Sequence, residues 1–283
     1  MIGEFVQAVM TYGFLQRAFV GAILVGFVAG IVGVFVILRG LSLMGDAISH
    51  SVLPGVALSH VLGISHVFGA ALFGILASMM IGFIGDRSKL KNDTVMGIVF
   101  SLFFSLGIVM VSRIRTTTDL HHILFGNVLA VRADDVRIIG VVAILLVLFV
   151  GLFYKELVVT SFDATHALVY GLKVRVFHYA FLFVLTLIIV ASLQTVGATL
   201  IVAMIITPAA TSYLLTSRLP VMLGLSAFIG VVSAILGMFF SFSFNLASGA
   251  TIVLVASVIF MLVLVFSPKK GVLSRFVRNR FNV

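Results

Sequence analysis

Nine runs of mostly apolar residues, separated by short polar or basic loops, limit the possible folds of this chain more than any other feature. A bilayer core of about 30 Å is crossed by roughly 20 helical residues, so each run matches one membrane-spanning helix. We therefore predict an all-α fold, a polytopic membrane helical bundle with about nine transmembrane helices. The runs cover residues 17–38, 42–62, 65–85, 94–112, 136–154, 176–193, 197–216, 220–242 and 247–267.

The composition agrees with a membrane domain, because 62% of the residues are hydrophobic and only 10% are charged. No soluble domain interrupts the series, so residues 1–283 are predicted to form a single transmembrane domain. Residues 1–16 are less apolar and predict an amphipathic helix against the membrane, with a tenth span as the alternative. The early Glu4 and the lack of a basic segment with a cleavage site argue against a cleaved signal peptide.

The 18 Lys and Arg residues give a net charge of +9 and collect in the loops and the tail. Because these cations flank apolar runs, they are expected to set membrane topology and to face anionic lipid, not nucleic acid. With nine spans, the most basic segments fall on one side, which we predict to be cytoplasmic, and the N-terminus lies outside. These segments are 86–93, 155–175 and the C-terminal tail, together with Arg39 and Arg218.

Asp46 and His50 are the pair in the second run that packing alone does not explain. They are four residues apart, so in a helix they project from one face, next to Ser42. An ionisable group at membrane depth costs about 3 kcal/mol unless it faces a cavity or a partner. A carboxylate and an imidazole can hold Mn²⁺, Fe²⁺ or Zn²⁺, so we predict a metal site here. The alternative is that the pair only joins helices within the bundle.

A second copy of the chain would enlarge this site. If two copies met about a two-fold axis, two carboxylates and two imidazoles would converge on one point. A transport site must also release its ion, so a ligand shell completed by water is acceptable.

Small residues and prolines inside the runs predict how the helices pack and bend. Ala22, Gly26 and Gly30 recur every fourth residue and predict close packing, inside the chain's own bundle rather than at a dimer contact. Pro54 leaves the carbonyl of residue 50 without its helical donor and predicts a kink beside the metal site. Pro208 predicts a bend that could act as a gate or hinge, with a static kink as the alternative.

The long loop between the fourth and fifth runs contains TTTDLHHILFGNVLAV, with Asp119, His121 and His122. This segment could form a short re-entrant helix that lines the entrance, with Asp119 and His122 near a gate, or it could be a plain loop helix. His60 and His66, near the outer ends of the second and third runs, are interpreted as interfacial polar residues.

The loop between the fifth and sixth runs contains TSFDATHALVYGLKV and predicts a short cytoplasmic helix near 161–171. Ser161 or Asp163 can cap its start and Gly171 can end it, while Ala164, Ala167 and Leu168 form a small apolar ridge. Such a helix suits docking into a groove of a partner, and an ordinary connector is the alternative. The sequence has no GxxxxGK[ST] loop, so the chain is not expected to be an enzyme that hydrolyses nucleotide.

Four segments resemble the permease subunits of bacterial ABC importers for manganese, zinc and iron, the metal ABC-3 type family. The similarity runs through nearly the whole chain, and its first and last segments are specific. The segments are LRGLSLMGDAISHSVLPGVAL (38–58), DLHHILFGNVLAV (119–131), SFDATHALVYGL (161–172) and LQTVGATLIVAMIITPAATSYLL (193–215).

The resemblance implies a permease of the type II importer class in the bacterial cell membrane. It would work as a homodimer on two cytoplasmic ABC ATPase subunits and receive its ion from an extracellular metal-binding lipoprotein. The family's metal-binding acid and imidazole fall on Asp46 and His50. Its ATPase-docking Ala and Gly fall on Ala167 and Gly171, with His166 in place of an acidic residue, beside Asp163 and Ala164.

The resemblance favours manganese as the transported substrate, and an Asp and His set without thiolates suits a harder cation. Zinc, which the same ligands bind at least as tightly, and iron are the alternatives. No permanently bound cofactor is expected. A secondary transporter driven by an ion gradient is a competing function, although the two halves of the sequence show no corresponding broken helices. A membrane-embedded hydrolase is a weaker one, because no HExxH motif occurs.

Overall fold

The computed structural model describes residues 2–113, 128–162 and 164–267, and all regular structure in these residues is helical. Eight helices in this part are long and apolar enough to cross a membrane. They are α2 (Gly13–Leu38), α5 (His66–Arg87), α6 (Asn92–Arg113), α7 (Ala133–Leu152), α10 (Val174–Val196), α11 (Ala198–Leu215), α12 (Leu219–Phe244) and α13 (Ser248–Phe266). The shorter helices are α1 (Ile2–Thr11), α3 (Met44–Ser51), α4 (Leu53–Leu62), α8 (Tyr154–Phe162) and α9 (Ala164–Val169).

The second apolar run is the place where the structure departs from nine continuous spans. It forms two consecutive short helices, α3 and α4, that meet at Val52. Pro54 lies in the first turn of α4 and has no N–H, so it cannot donate to the carbonyl of His50. The all-α bundle of about nine spans is therefore confirmed as eight long helices and one interrupted pair.

Helix α2 forms the centre of the bundle, with 67% of its most apolar stretch buried. Helices α7, α10, α11 and α12 pack around it, and α13 packs on the outer side of α11 and α12. Helices α3 and α4 lie to one side, against α5 and α6. The peripheral helices keep many apolar side chains exposed, as expected for surfaces that contact lipid.

Glycines allow α2 to approach its neighbours closely. A side chain at Gly26 would collide with the backbone of Gly230 on α12, and one at Gly33 would collide with the carbonyl of Ile205 on α11. Ser226 on α12 donates a 2.7 Å hydrogen bond to the carbonyl of Gly30. The stripe of small residues thus packs within the chain's own bundle, as predicted.

Helix α1 has 10 residues, which at 1.5 Å per residue span only about half of the hydrocarbon core. Its buried Phe5 contacts Phe19 of α2 and Phe239 and Phe242 of α12. The alternative of a tenth span in residues 1–16 is therefore excluded, because α1 is too short and packs against the bundle.

The distribution of Lys and Arg predicted which loops lie on each side of the membrane, and the structure places these two sets of loops at opposite ends of the bundle. At one end, Arg39, Asp86, Ser161 and Arg175 line one cavity of about 390 Å³. At the other end, the turn between α4 and α5 and the start of α7 line a cavity of about 710 Å³. The grouping agrees with the predicted topology, and the assignment of the first end to the cytoplasm stays a prediction.

The close approach of α2 and α12 can be tested by adding a side chain. We expect Gly26→Leu to lower the apparent melting temperature of the purified protein, because overpacking typically costs about 1–3 kcal/mol. Gly140→Leu on α7 is the matched control, since a Cβ at Gly140 meets no atom within 4 Å. Equal melting temperatures for the two variants in the same detergent would contradict this packing.

Candidate metal-ion site

Asp46 and His50 lie on α3, which packs against α5, α6, α10 and α11. Asp46 is in the first turn, where the positive end of the helix dipole stabilises a carboxylate, and His50 is in the last turn. The Nε2 atom of His50 is 3.3 Å from Oδ1 of Asp46. The Asp46 side chain is 54% exposed and that of His50 is 26% exposed. The structure therefore brings the two predicted ligands together on a partly open face of the chain.

The distance between these two atoms suits two neighbouring ligands of one metal ion. Donor atoms that each lie about 2.1 Å from an octahedral or tetrahedral ion are about 3.0–3.4 Å from each other. A separation of 3.3 Å between Nε2 and Oδ1 falls in that range. Both atoms could thus contact the same divalent cation without a change in the backbone of α3.

Two aromatic side chains of α6 hold the imidazole of His50. The rings of Phe100 and Phe104 meet it edge to face, each at a centroid distance of 5.6 Å. The Nδ1 atom of His50 is buried without a hydrogen-bond partner, whereas Nε2 points to Asp46. Sequence reasoning missed these phenylalanines, although their four-residue spacing on the fourth run marks a common helical face.

The described part of the chain supplies only part of a metal-ion coordination shell. Within residues 2–113, 128–162 and 164–267, no three His, Cys, Asp or Glu side chains cluster closely enough to hold a metal ion. Leu43, in the turn before α3, is half-exposed beside the site. The open face at Asp46 leaves room for further ligands from water or from another chain.

The short helix predicted near 161–171 is present as α9, which is preceded by α8, and its cytoplasmic position stays a prediction. Gly171 has a φ of +75° and, together with the hydrogen bond from the Leu172 N–H to the carbonyl of Ala167, forms a Schellman end. Ala167 is fully buried, whereas His166 is exposed. Ala164 begins the helix, and Asp163 lies outside the described residues.

Ser161 does not cap α9, contrary to one of the two predicted caps. It lies in the last turn of α8, where its hydroxyl donates a 2.6 Å hydrogen bond to the carbonyl of Leu157. The same oxygen accepts a hydrogen bond from Arg39. The reason is that α8 continues through residue 162 before the chain turns.

The remaining predicted gate or hinge residues have different positions. Pro54 lies in the first turn of α4, one turn from His50. Pro208 is buried inside α11, which continues through it, next to Ala209 at the contact with Gly33. Asp119 and His122 lie outside the described residues. A role of these four residues in gating stays a prediction.

His60 and His66 stack at the end of the bundle opposite Arg39. Their ring centroids are 6.1 Å apart with an interplanar angle of 18°. His66 also lines the 710 Å³ cavity, together with Asp134, Asp135 and Gln194. Asp135 accepts a hydrogen bond from the Arg132 N–H, and Asp134 is bonded to Arg137, so both carboxylates already have partners.

A family model described as the ABC 3 transport family matches residues 11–267. The chain belongs to this family. It is 55% identical to the manganese transport system membrane protein MntC of Listeria innocua, over 95% of this chain and 96% of that protein. It is 50% identical to the manganese import system permease protein ScaB of Streptococcus gordonii, over 98% of this chain and 100% of that protein. The family resemblance drawn from the residues is confirmed.

The fold also matches a solved structure, that of PsaBC from Streptococcus pneumoniae in complex with Fab. The TM-score is 0.87 and the sequence identity is 46%, over 99% of this chain and 100% of that chain. With eight long apolar helices in the described part of the chain, this member of the ABC 3 transport family is a multi-pass transport protein of the bacterial cell membrane.

The site can be tested by direct metal binding. We expect His50→Gln to weaken Mn²⁺ binding to the purified permease at least about tenfold, because loss of even a side chain that hydrogen-bonds a metal ligand costs about 10–100-fold. Mn²⁺ titration followed by electron paramagnetic resonance measures the effect. His60→Gln is the matched control and should bind as the unmodified protein does. Equal affinities for the two variants would exclude His50 as a ligand.

Proposed function

We propose that this chain is the membrane permease of an ATP-driven importer that moves manganese into the bacterial cytoplasm. Membership of the ABC 3 transport family supports the transport role. The names of the two relatives support manganese as the substrate. The observation that carries the proposal is the Asp46 and His50 pair, whose donor atoms are spaced for one divalent cation inside a membrane domain.

We propose further that two copies of the chain assemble so that their α3 helices face each other. An exposed carboxylate in contact with acyl chains would cost about 3 kcal/mol, whereas a second copy or a water-filled passage removes this penalty. A two-fold axis near Asp46 would bring two carboxylates and two imidazoles around one ion. This arrangement is supported by the incomplete shell that the described part of one chain presents on an open face.

The energy for transport would come from two ABC ATPase subunits that dock on α9. This helix exposes Leu168 and Val169, and Val169 is 81% exposed. Tyr170, which directly follows the helix, is also exposed. Ala167 anchors the helix from its buried side, and Gly171 fixes its end. A short helix with exposed apolar residues at its end suits a groove on a cytoplasmic partner.

An extracellular metal-binding lipoprotein would deliver the ion at the other end of the bundle. The 710 Å³ cavity there is lined by polar groups, including His66 and Gln194, as expected for a wet entry surface. Alternating access would then expose Asp46 and His50 first to this side and later to the cytoplasm. Because the ion must leave again, two protein ligands per chain with water in the remaining positions suit a transient site.

Transport assays can test the site and the energy source together. We expect Asp46→Ala and His50→Ala to reduce ATP-dependent ⁵⁴Mn²⁺ uptake to background, with normal assembly with the ATPase. Asp93→Asn removes an exposed carboxylate in the first turn of α6 that lines neither cavity, and is the control that should transport normally. Normal uptake in both site variants would exclude the site, and uptake driven by an ion gradient without ATPase would indicate a secondary transporter. Inhibition of ⁵⁴Mn²⁺ uptake by unlabelled Zn²⁺ or Fe²⁺ measures how strongly each of these ions competes with manganese.

The docking role of α9 has its own test. We expect Val169→Glu to reduce co-purification of the ATPase subunits at least about tenfold, because a charge would be buried in an apolar contact. Leu246→Glu adds the same charge at a half-exposed residue that follows α12 and should leave assembly unchanged. Full ATPase recovery with Val169→Glu would show that α9 is not the docking helix.

A further inference from the structure

Arg39, the residue that ends α2, connects the α8 helix to the segment that carries the metal site. Its Nε donates a 3.0 Å hydrogen bond to the Ser161 hydroxyl, and its Nη2 donates a 3.0 Å hydrogen bond to the Thr160 hydroxyl. The two acceptors are adjacent in sequence and lie more than 120 residues from Arg39. A planar guanidinium can reach both hydroxyls at once, which the single ammonium of lysine does less well.

Both hydroxyls are held so that they accept from Arg39. Thr160 donates its own proton to the carbonyl of Glu156 at 2.7 Å, and Ser161 donates to the carbonyl of Leu157 at 2.6 Å. Because a hydroxyl has one proton, each oxygen then presents only lone pairs to the guanidinium. Helix α8 thus fixes two acceptors at the spacing of the arginine fork.

A third contact of the Arg39 guanidinium comes from α10. Its Cζ lies 4.4 Å from the ring centroid of Phe181 on α10, a cation–π geometry. Burial lowers the pKa of Arg39 to about 10, so the side chain remains charged at neutral pH. A charged donor that is partly withdrawn from water forms stronger hydrogen bonds than an exposed one.

The connection from Arg39 to the metal site is short and hydrogen-bonded. Gly40 has a φ of +65°, and the Leu41 N–H bonds to the carbonyl of Val36, which closes α2 with a Schellman end. The Met44 N–H then bonds to the carbonyl of Leu41 at the start of α3. Asp46 follows seven residues after Arg39, with no long loop between them.

We propose that Arg39 is a positioning residue that couples the cytoplasmic segment α8–α9 to the metal-site helix α3. This inference rests on the proposed function, in which the ATPase moves α9. A displacement of α9 is carried by α8 to Thr160 and Ser161, and by Arg39 to the start of α3. The ion-binding pair therefore changes its surroundings when the ATPase subunits close.

The test uses the complete permease and ATPase complex in lipid nanodiscs or vesicles, with Mn²⁺ as the transported ion. For Arg39→Gln we expect the amount of Mn²⁺ transported per ATP hydrolysed to fall about tenfold, a typical size for the coupling between two sites. Assembly with the ATPase and the rate of ATP hydrolysis should stay within about twofold of the unmodified complex. Arg39→Lys should show a smaller loss of the same kind, since it keeps the charge without the fork.

A matched control distinguishes the loss of a positive charge from the loss of the hydrogen bonds between Arg39 and α8. Arg175→Gln removes the same charge from the same cavity, but Arg175 is exposed, so this variant should transport normally. Ser161→Ala combined with Thr160→Val removes both acceptors and leaves Arg39 in place. We expect this double variant to reproduce the loss, and adding Arg39→Gln to it should cause little further change, because all three substitutions remove one interaction.

The outcomes distinguish this inference from the function on which it rests. If the unmodified complex fails to link Mn²⁺ uptake to ATP hydrolysis, the proposed function is wrong. If it does link them and the Arg39→Gln complex transports as much Mn²⁺ per ATP, only the coupling role is wrong. If Arg39→Gln prevents assembly, the double variant at Ser161 and Thr160 decides, and normal transport per ATP in that variant overturns the proposal.

Discussion

The hydrocarbon core of the bilayer offers no water to a polar group, and this constraint determines most of the architecture. Backbone groups must pair within each segment, so the apolar runs become helices. Helices in lipid gain little from hydrophobic burial, so they associate through close packing. In this chain the packing depends on glycines in α2. Because Gly26 and Gly33 have no side chain, the backbones of α12 and α11 can approach α2 closely. The central position of α2 follows from these contacts.

The same constraint gives meaning to the two ionisable side chains on α3. Hydrocarbon tolerates Asp46 and His50 only if each has a polar partner. In the structure the two side chains are partners of each other. The aromatic rings of α6 then shield the histidine and leave the carboxylate on the open face. A divalent cation would balance the negative charge of Asp46, and a second copy of the chain would shield the open face from lipid.

The interruption of the second run also has a mechanical consequence. Two short helices joined at Val52 can change their relative angle more easily than one continuous span, because the hydrogen bond that Pro54 cannot form is already absent. Arg39 contacts α8 through Thr160 and Ser161 and lies seven residues before Asp46, so the contact with α8 is close in sequence to the ion site.

The sequence by itself determined the features that depend on neighbouring residues. These are the apolar runs, the common face of Asp46 and His50 and the short helix that ends at Gly171, since hydropathy and helical spacing are local properties. It left Ser161 and Asp163 as alternative caps of α9, and the contacts of Ser161 with Leu157 and Arg39 were visible only in the structure. Only the tertiary structure decided which distant side chains meet. The relative rotation of two helices depends on packing along their whole length, so no local pattern could place Phe100 and Phe104 on His50 or Arg39 on Thr160.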